Sequence, residues 1–112
     1  MVKWLGKQRD MHMGKLVRDR IPEIIRADGK TPIIRIMDEQ EYLKELDHKL
    51  LEEVNEYRED GSIEEMADVL EVLQAVCIAR GHTLQQLEEV RRKKAEVRGG
   101  FNRRIYWEGN QV

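Results

Sequence analysis

The stretch LEEVNEYREDGSIEEMADVLEVL, at residues 51–73, limits the possible folds most, because it holds two helical patterns around one short turn. On both sides of Asp60-Gly61, apolar residues recur every three or four positions, which is the period of an amphipathic α-helix. Ser62 and Glu65 form a capping-box pattern at the start of the second helix. The stretch therefore predicts a tight helical hairpin around which the rest of the chain must pack.

The remaining sequence predicts more helices and little β-structure. Helices are expected over Pro22–Ala27, from the capping-box pattern of Asp38 and Glu41 to about Glu59, from Ser62 to Gly81, and from Thr83 to about Arg98. The segments TPIIRIM (31–37) and FNRRIYW (101–107) contain β-branched and aromatic residues and could pair as a two-stranded ribbon. We therefore expect an all-α protein, a small helical bundle with at most this one ribbon.

The length of 112 residues is sufficient for one hydrophobic core. Residues 1–12 have neither helical nor strand periodicity, so we expect them to be a flexible tail before a single domain at 13–112. The one cysteine, Cys77, lies in an apolar helical pattern, which favours a core position. A single cysteine excludes an internal disulfide and favours a cytoplasmic location.

Charge and hydropathy argue against two classes of partner. The 20 basic and 22 acidic residues give a net charge of −2, which offers no overall attraction to nucleic acid or to an anionic membrane. No apolar run approaches the ~20 residues that a membrane-spanning helix needs. We therefore expect neither nucleic acid nor a membrane as a partner.

Four acidic residues of the hairpin lie where the two helices can face each other. At about 100° per residue, Glu53 and Glu56 border the apolar face of the first helix, whereas Glu52 faces mostly water. Glu65 and Asp68 lie at the edge of the apolar arc of the second helix. Each pair is spaced i, i+3, so both of its carboxylates point to one side of their helix.

Two interpretations of these carboxylates stay open. Two carboxylates ~5.5 Å apart repel by about 3 kcal/mol at an effective dielectric constant near 20, so a half-buried group of four needs a counter-charge. Their hard oxygens suit Mg²⁺ or Mn²⁺ better than zinc; the alternative is a solvated acidic hairpin. A di-iron site is rejected, because it needs two carboxylate–histidine motifs and the chain has one, Glu45-x-x-His48, with His48 turned from the core.

The second helix of the hairpin also predicts a partner. Its core direction is set by Ile63, Met66, Leu70, Leu73, Val76 and Cys77. Val69 and Val72 widen its apolar arc to roughly 220°, beyond the ≳100° stripe of an ordinary surface helix. The chain has only three substantial helices to cover this arc, so we expect a second subunit to cover Val69, Val72 and Val76.

Three stretches of the chain carry a resemblance to a known family: KLVRDRIPEII at 15–25, the pair LEEVNE and EEMADVLEV, and KKAEVRGGF at 93–101. Together they resemble the all-α nucleoside triphosphate pyrophosphatase superfamily, the MazG-like and phosphoribosyl-ATP pyrophosphatase-like proteins. Residues 52–56 match the first half of its E-E-x-x-E and E-x-x-D signature, and residues 65–68 match the second half. Only eight residues separate Glu56 from Glu65, which is short for the superfamily and leaves a small loop over the site.

The resemblance implies a Mg²⁺-dependent enzyme, with Mn²⁺ as a substitute, that cleaves nucleoside triphosphates between the α- and β-phosphates. It implies a house-cleaning role and a homodimer or a dimer of dimers. The implied metal ligands are Glu53, Glu56, Glu65 and Asp68, and Glu52 is expected to orient or deprotonate the attacking water. The residues expected to contact the nucleotide are Lys15, Arg18 and Asp19 of the opening motif and the pair Lys94 and Arg98.

Alternatives of other kinds remain beside this reading. Lys94 and Arg98, with Arg91, Arg92 and Lys93 before them, are also what a solvated helix C-terminus contains. Hydrolysis of phosphoribosyl-ATP is the same chemical cut on a larger nucleotide. A non-catalytic helical oligomerisation module with a vestigial acidic hairpin is the alternative outside enzymes.

Overall fold

A computed structural model describes residues 14–112 of the chain. It contains four helices: α1 (Ile21–Ala27), α2 (Glu39–Asp60), α3 (Ile63–Ala79) and α4 (Leu84–Arg98). No strand is present in residues 14–112, which confirms the all-α prediction. Among the helices of this part of the chain, none is both long enough and apolar enough to cross a lipid bilayer. The predicted tail at 1–12 lies outside the described residues.

Helix α2 begins where the sequence predicts, but only half of its capping box is formed. The Asp38 carboxylate accepts a hydrogen bond from the backbone N–H of Glu41 at 2.9 Å. The Glu41 carboxylate does not complete the box, because it accepts two hydrogen bonds from Arg35, at 2.7 Å from Nη1 and 2.5 Å from Nη2. This charged pair lowers the pKa of Glu41 and raises that of Arg35, and it holds segment 31–37 beside the start of α2.

The turn between α2 and α3 is as short as the sequence predicts. Gly61 adopts a left-handed conformation with φ of +67°, which a residue with a Cβ adopts only at a cost. Its N–H donates to the carbonyl oxygen of Tyr57 at 2.7 Å, and this bond closes α2. The hydroxyl of Ser62 accepts from the N–H of Glu65 at 3.3 Å and caps α3. The two helices are therefore joined by only two residues.

Helix α3 ends, and α4 begins, with complete capping motifs. Gly81 has φ of +89° and donates to the carbonyl of Ile78, while His82 donates to that of Cys77. These two bonds are the Schellman arrangement expected at a C′ glycine. Thr83 and Gln86 then form a full capping box at the start of α4. The predicted ends of both helices are confirmed to within two residues.

The chain divides into two compact units after Val76, within α3. The first contains α1, α2 and most of α3, and its buried apolar side chains are Ile21 and Leu46. The second contains the end of α3, α4 and the C-terminal segment. In it Cys77 is buried, a free thiol 3.4 Å from the carbonyl oxygen of Thr83. The expected core position of this cysteine is confirmed.

The orientation of α3 differs from the predicted one. Exposed apolar side chains form an outer stripe on α3: Ile63, Met66, Leu70 and Leu73. By contrast, Val69, Val72 and Val76 are half-buried. The predicted core direction is therefore wrong for these four residues, whereas Val76 and Cys77, which belong to the same prediction, are half-buried and buried. At 100° per residue the valines lie on the same side of α3 as Glu65 and Asp68, and that side faces α2.

The predicted ribbon is absent from residues 14–112, and its first segment is poorly suited to a strand. Residues 31–37 have no regular secondary structure. Pro32 has no N–H to donate to a partner strand. The side chains of Ile33 and Ile36 are 101% and 91% exposed, so these two residues offer no packing that would hold a strand.

The second ribbon segment is interrupted by a turn. The N–H of Arg104 donates to the carbonyl of Phe101 at 3.1 Å, and Arg104 has φ of +57°. A positive φ is incompatible with an extended strand. Residues 101–107 therefore cannot run as one strand, although their aromatic residues predicted it.

Candidate metal centre

Helices α2 and α3 bring three of the four predicted metal ligands together. One carboxylate oxygen from each of Glu53, Glu65 and Asp68 lies within 4.8 Å of the other two. We call these residues the carboxylate triad. Glu65 is only 8% exposed, and the side chains of Glu53 and Asp68 are 12% and 40% exposed. The short turn at Gly61 and the i, i+3 spacing on α3 produce this convergence.

The fourth predicted ligand, Glu56, is buried one turn after Glu53 on α2, with 5% exposure. It is not one of the three residues whose oxygens converge. Within the described residues, no buried side-chain nitrogen or oxygen lacks a hydrogen-bond partner. The direct participation of Glu56 in a metal site therefore stays a prediction.

The triad carries an electrostatic cost. At a separation of 4.8 Å, two carboxylates repel by about 3 kcal/mol at an effective dielectric constant of 20. Burial raises the pKa of Glu53 above the ordinary value, and the charges of Asp68, Glu52 and Glu65 raise it further, against the opposing effect of Lys49. The chain therefore holds Glu53 where its charged form is disfavoured.

Lys49 is a functional candidate that the sequence reasoning missed. Its ammonium lies 3.1 Å from Oε1 of Glu52 and 3.6 Å from Oε1 of Glu53, and its side chain is only 17% exposed. The available signal was its spacing, i, i+3 and i, i+4 from the two glutamates. Glu52 was expected to face mostly water, but it is half-buried, with its side chain 27% exposed and paired with Lys49.

Arg18 supplies a second cation at the triad. Its Nη2 donates to Oδ1 of Asp68 at 2.6 Å, across 50 positions of sequence. The resemblance implies that Arg18 contacts the nucleotide, which stays a prediction; in the structure it contacts a predicted metal ligand. Lys15, in the same segment before α1, is half-buried, and Asp19 is exposed.

The predicted phosphate pair lies in the second unit. Lys94 and Arg98 are exposed and occupy successive turns at the end of α4. Nearby, Arg91 donates to Glu88 from Nε at 2.8 Å and from Nη2 at 2.6 Å. Such an exposed pair within one helix is what a solvated helix surface contains. The contact of Lys94 and Arg98 with a nucleotide stays a prediction.

The rejected carboxylate–histidine motif lies apart from the triad. Nδ1 of His48 is 3.3 Å from Glu45 of the same helix, and the His48 side chain is 60% exposed. Neither residue belongs to the group of converging carboxylates. The orientation of His48 away from the core is confirmed.

The donor set of the triad fits a hard divalent cation. Oxygens bound to one Mg²⁺ at ~2.1 Å are at most about 4.2 Å apart. At most one pair of the three oxygens can be trans, and the other pairs would be about 3 Å apart. The carboxylates, whose oxygens lie within 4.8 Å of one another, would therefore have to draw together to bind the ion. The donors are all carboxylate oxygens, which suit Mg²⁺ or Mn²⁺ better than softer metals.

Comparisons with known proteins supply little about function. No protein-family model and no solved structure matches the chain. A protein of Mycolicibacterium smegmatis, described as uncharacterized, is 61% identical over 46 residues, which are 41% of this chain and 47% of that protein. The chain thus spans about half the length of the curated relative it matches.

Proposed function

We propose that the protein is a Mg²⁺-dependent nucleoside triphosphate pyrophosphohydrolase, which releases a nucleoside monophosphate and pyrophosphate. The observation that carries the proposal is the convergence of Glu53, Glu65 and Asp68 from two helices. Their match to the superfamily signature supports the reaction class. A house-cleaning role in the cytoplasm follows from the same resemblance and from the single cysteine.

In this proposal the triad holds the cation, with Glu56 as a fourth ligand. The bound cation would offset phosphate charge and make a bound water more acidic. Glu52 orients the attacking water and accepts its proton, while Lys49 keeps the Glu52 carboxylate in place. The water oxygen bonds to phosphorus as the bridging P–O bond breaks, and pyrophosphate leaves.

The residues that the resemblance matches to nucleotide contacts are proposed to bind the nucleotide. Lys94 and Arg98 would hold the phosphates, because an i, i+4 pair directs both side chains to one side of α4. Lys15, Arg18 and Asp19 would contact phosphate or base from the segment before α1.

A second copy of the chain is the proposed partner, in a homodimer or a dimer of dimers. The support is the outer stripe of α3, where Ile63, Met66, Leu70 and Leu73 are 71%, 45%, 53% and 39% exposed. An exposed apolar stripe of this kind marks an interaction surface. We therefore propose the outer stripe, in place of the valines, as the interface.

One observation favours the non-catalytic alternative. Lys49 and Arg18 already pair with carboxylates of the cluster, so part of its charge is balanced without a metal. A helical oligomerisation module would need no more than this. Phosphoribosyl-ATP hydrolysis stays within the proposed chemistry and differs only in the nucleotide.

The test is a screen of nucleoside triphosphates, with phosphoribosyl-ATP included, for pyrophosphate release with and without Mg²⁺. We expect Mg²⁺-dependent release from at least one nucleotide, and a loss of at least about 10²-fold in Glu65→Gln. Glu64→Gln is the matched control, since Glu64 is exposed on the neighbouring position of α3. Equal activity of the two variants would reject Glu65 as part of the site, and no release from any nucleotide would reject the enzyme.

A further inference from the structure

The contact between Arg18 and Asp68 has a consequence for metal binding. Nη2 of Arg18 lies 2.6 Å from Oδ1 of Asp68, so a guanidinium occupies one oxygen of a proposed metal ligand. We propose that Arg18 is a displaceable counter-ion that competes with the divalent cation for Asp68, an inference that rests on the proposed function. Arg18 thereby weakens metal binding when no polyphosphate is present to take up the guanidinium.

The two cations at the triad differ in how firmly they are held. Lys49 belongs to α2, one turn before its two partners, and its side chain is 17% exposed. Arg18 lies in a segment without regular secondary structure, and its side chain is 57% exposed. An exposed ion pair contributes little to stability, because water solvates both charges when they separate. Release of Arg18 from Asp68 therefore costs little free energy. Release of Lys49 costs more, because its side chain is mostly buried beside its two partners.

A different role for Arg18 would have the opposite sign. Oδ2 of Asp68 could bind the cation while Arg18 keeps Oδ1 and orients the carboxylate, as outer-shell partners of metal ligands do. Removal of such a partner weakens metal binding. A guanidinium, however, draws charge away from the carboxylate and repels a divalent cation nearby. These effects favour competition over orientation.

Competition couples the metal to an anionic ligand. A nucleoside polyphosphate that accepts hydrogen bonds from Arg18 frees Asp68 for the cation, and a bound cation frees Arg18 for the polyphosphate. The coupling must be reciprocal, because both binding events share one equilibrium. The site would then fill mainly when cation and polyphosphate arrive together.

The test measures binding of Mn²⁺ alone to the full chain, from the electron paramagnetic resonance signal of free Mn²⁺. We expect Arg18→Gln to lower the dissociation constant about fivefold, the effect of one unit charge removed near a divalent cation in screened, solvent-exposed surroundings. Arg20→Gln is the matched control, since Arg20 makes no side-chain cap to α1, and should change the constant less than twofold. Arg18→Lys keeps the charge and should bind Mn²⁺ nearly as the parent does.

Each contrary outcome identifies which proposal fails. If the parent binds Mn²⁺ and Arg18→Gln binds it equally or more weakly, the competition is overturned while the proposed function stands. If neither protein binds Mn²⁺, the metal site fails, and the proposed function and the competition fail with it. Equal tightening in Arg20→Gln would also overturn the competition, because the effect would then reflect net charge alone.

Discussion

The two flanks of α3 invert the usual relation between polarity and burial. On the inner flank, toward α2, Glu65 is 8% exposed and carries its carboxylate into the triad. On the outer flank, Met66 and Leu70 are 45% and 53% exposed. An isolated chain that maximised its own stability would bury the apolar side chains and expose the acid, since complete burial of a leucine is worth about 2 kcal/mol.

The inversion supports the two proposals, a divalent cation on the inner flank and a second subunit on the outer one. The inner flank holds like charges that a divalent cation would stabilise, and the outer stripe offers apolar area that a second subunit would cover. Both proposals therefore arise from one feature, the rotation of α3 about its axis.

The largest expected effect is a loss of catalytic efficiency, and it concerns the basic end of α4 and not the acidic inner flank of α3. If Lys94 and Arg98 hold the phosphates, Lys94→Ala or Arg98→Ala should each lower kcat/KM about 10²-fold, or about 2.7 kcal/mol, without changing the fold. Arg98→Lys should also be defective, because it keeps the charge but loses the planar bidentate fork.

Arg91→Ala is the control for this pair, because Arg91 already pairs with Glu88 on the surface of α4. Its kinetics should stay close to those of the parent. Steady-state kinetics in which all these variants match would show that the basic end of α4 is an ordinary solvated helix terminus.

Val72→Glu tests the inner flank by placing a fourth acid beside the triad. Val72 is half-buried on the side that carries Glu65 and Asp68, so the new carboxylate would be partly desolvated among like charges. We expect a loss of about 2 kcal/mol in the free energy of unfolding, measured by urea denaturation. Unchanged stability would mean that this flank does not face α2.

Leu70→Glu tests the outer stripe with the same new charge, two positions away. Leu70 is 53% exposed in the single chain, so the stability of an isolated chain should change by less than about 0.5 kcal/mol. Sedimentation should instead show a smaller species than the parent, because the charge would be buried between subunits. A lower mass for Val72→Glu with a normal mass for Leu70→Glu would restore the interface predicted from the sequence.

Glu53→Gln is expected to change the free energy of unfolding least. Its pH dependence tests whether the charge of Glu53 destabilises the folded chain. Because the pKa of Glu53 is raised in the folded state, the folded chain binds more protons than the unfolded chain between the ordinary value and the raised one. Stability therefore falls as pH rises through this window, and the full cost is present at neutral pH.

In EDTA, the variant should be more stable than the parent at pH 7, and this gain should vanish below the ordinary pKa of a glutamate. Urea denaturation at both pH values measures the difference. A variant less stable than the parent at pH 7 would mean that the pair with Lys49 outweighs the burial of the charge.

The sequence predicted the helices well because their signals are local. Ser62, Thr83 and Gly81 act within a few residues of their own helix ends. The N–H of Glu65 donates to Ser62, the capping box of Thr83 is complete, and the bonds at Gly81 close α3. The convergence of Glu53, Glu65 and Asp68 was also predictable, because the i, i+3 spacing and the short turn determine it.

Features that depend on tertiary contacts were not predictable from periodicity. The rotation of α3 about its axis determines both which apolar side chains are buried and where the carboxylates lie. A helical wheel takes only the apolar side chains into account. The contact of Arg18 with Asp68 joins residues 50 positions apart, and no local pattern encodes it. The prediction of a ribbon was wrong because a turn that ends at Arg104 interrupts residues with high β-propensity.

The binding of a divalent cation by the triad is the central claim, and thermal unfolding in a Mg²⁺ titration tests it most directly. We expect the melting temperature to rise with Mg²⁺ concentration, with a gain of about 2.7 kcal/mol at 100 times the dissociation constant. This dependence should disappear in Glu53→Gln/Asp68→Asn, which keeps the shape of both side chains but removes their charges. A double variant that responds to Mg²⁺ as the parent does would contradict the assignment of these carboxylates as ligands.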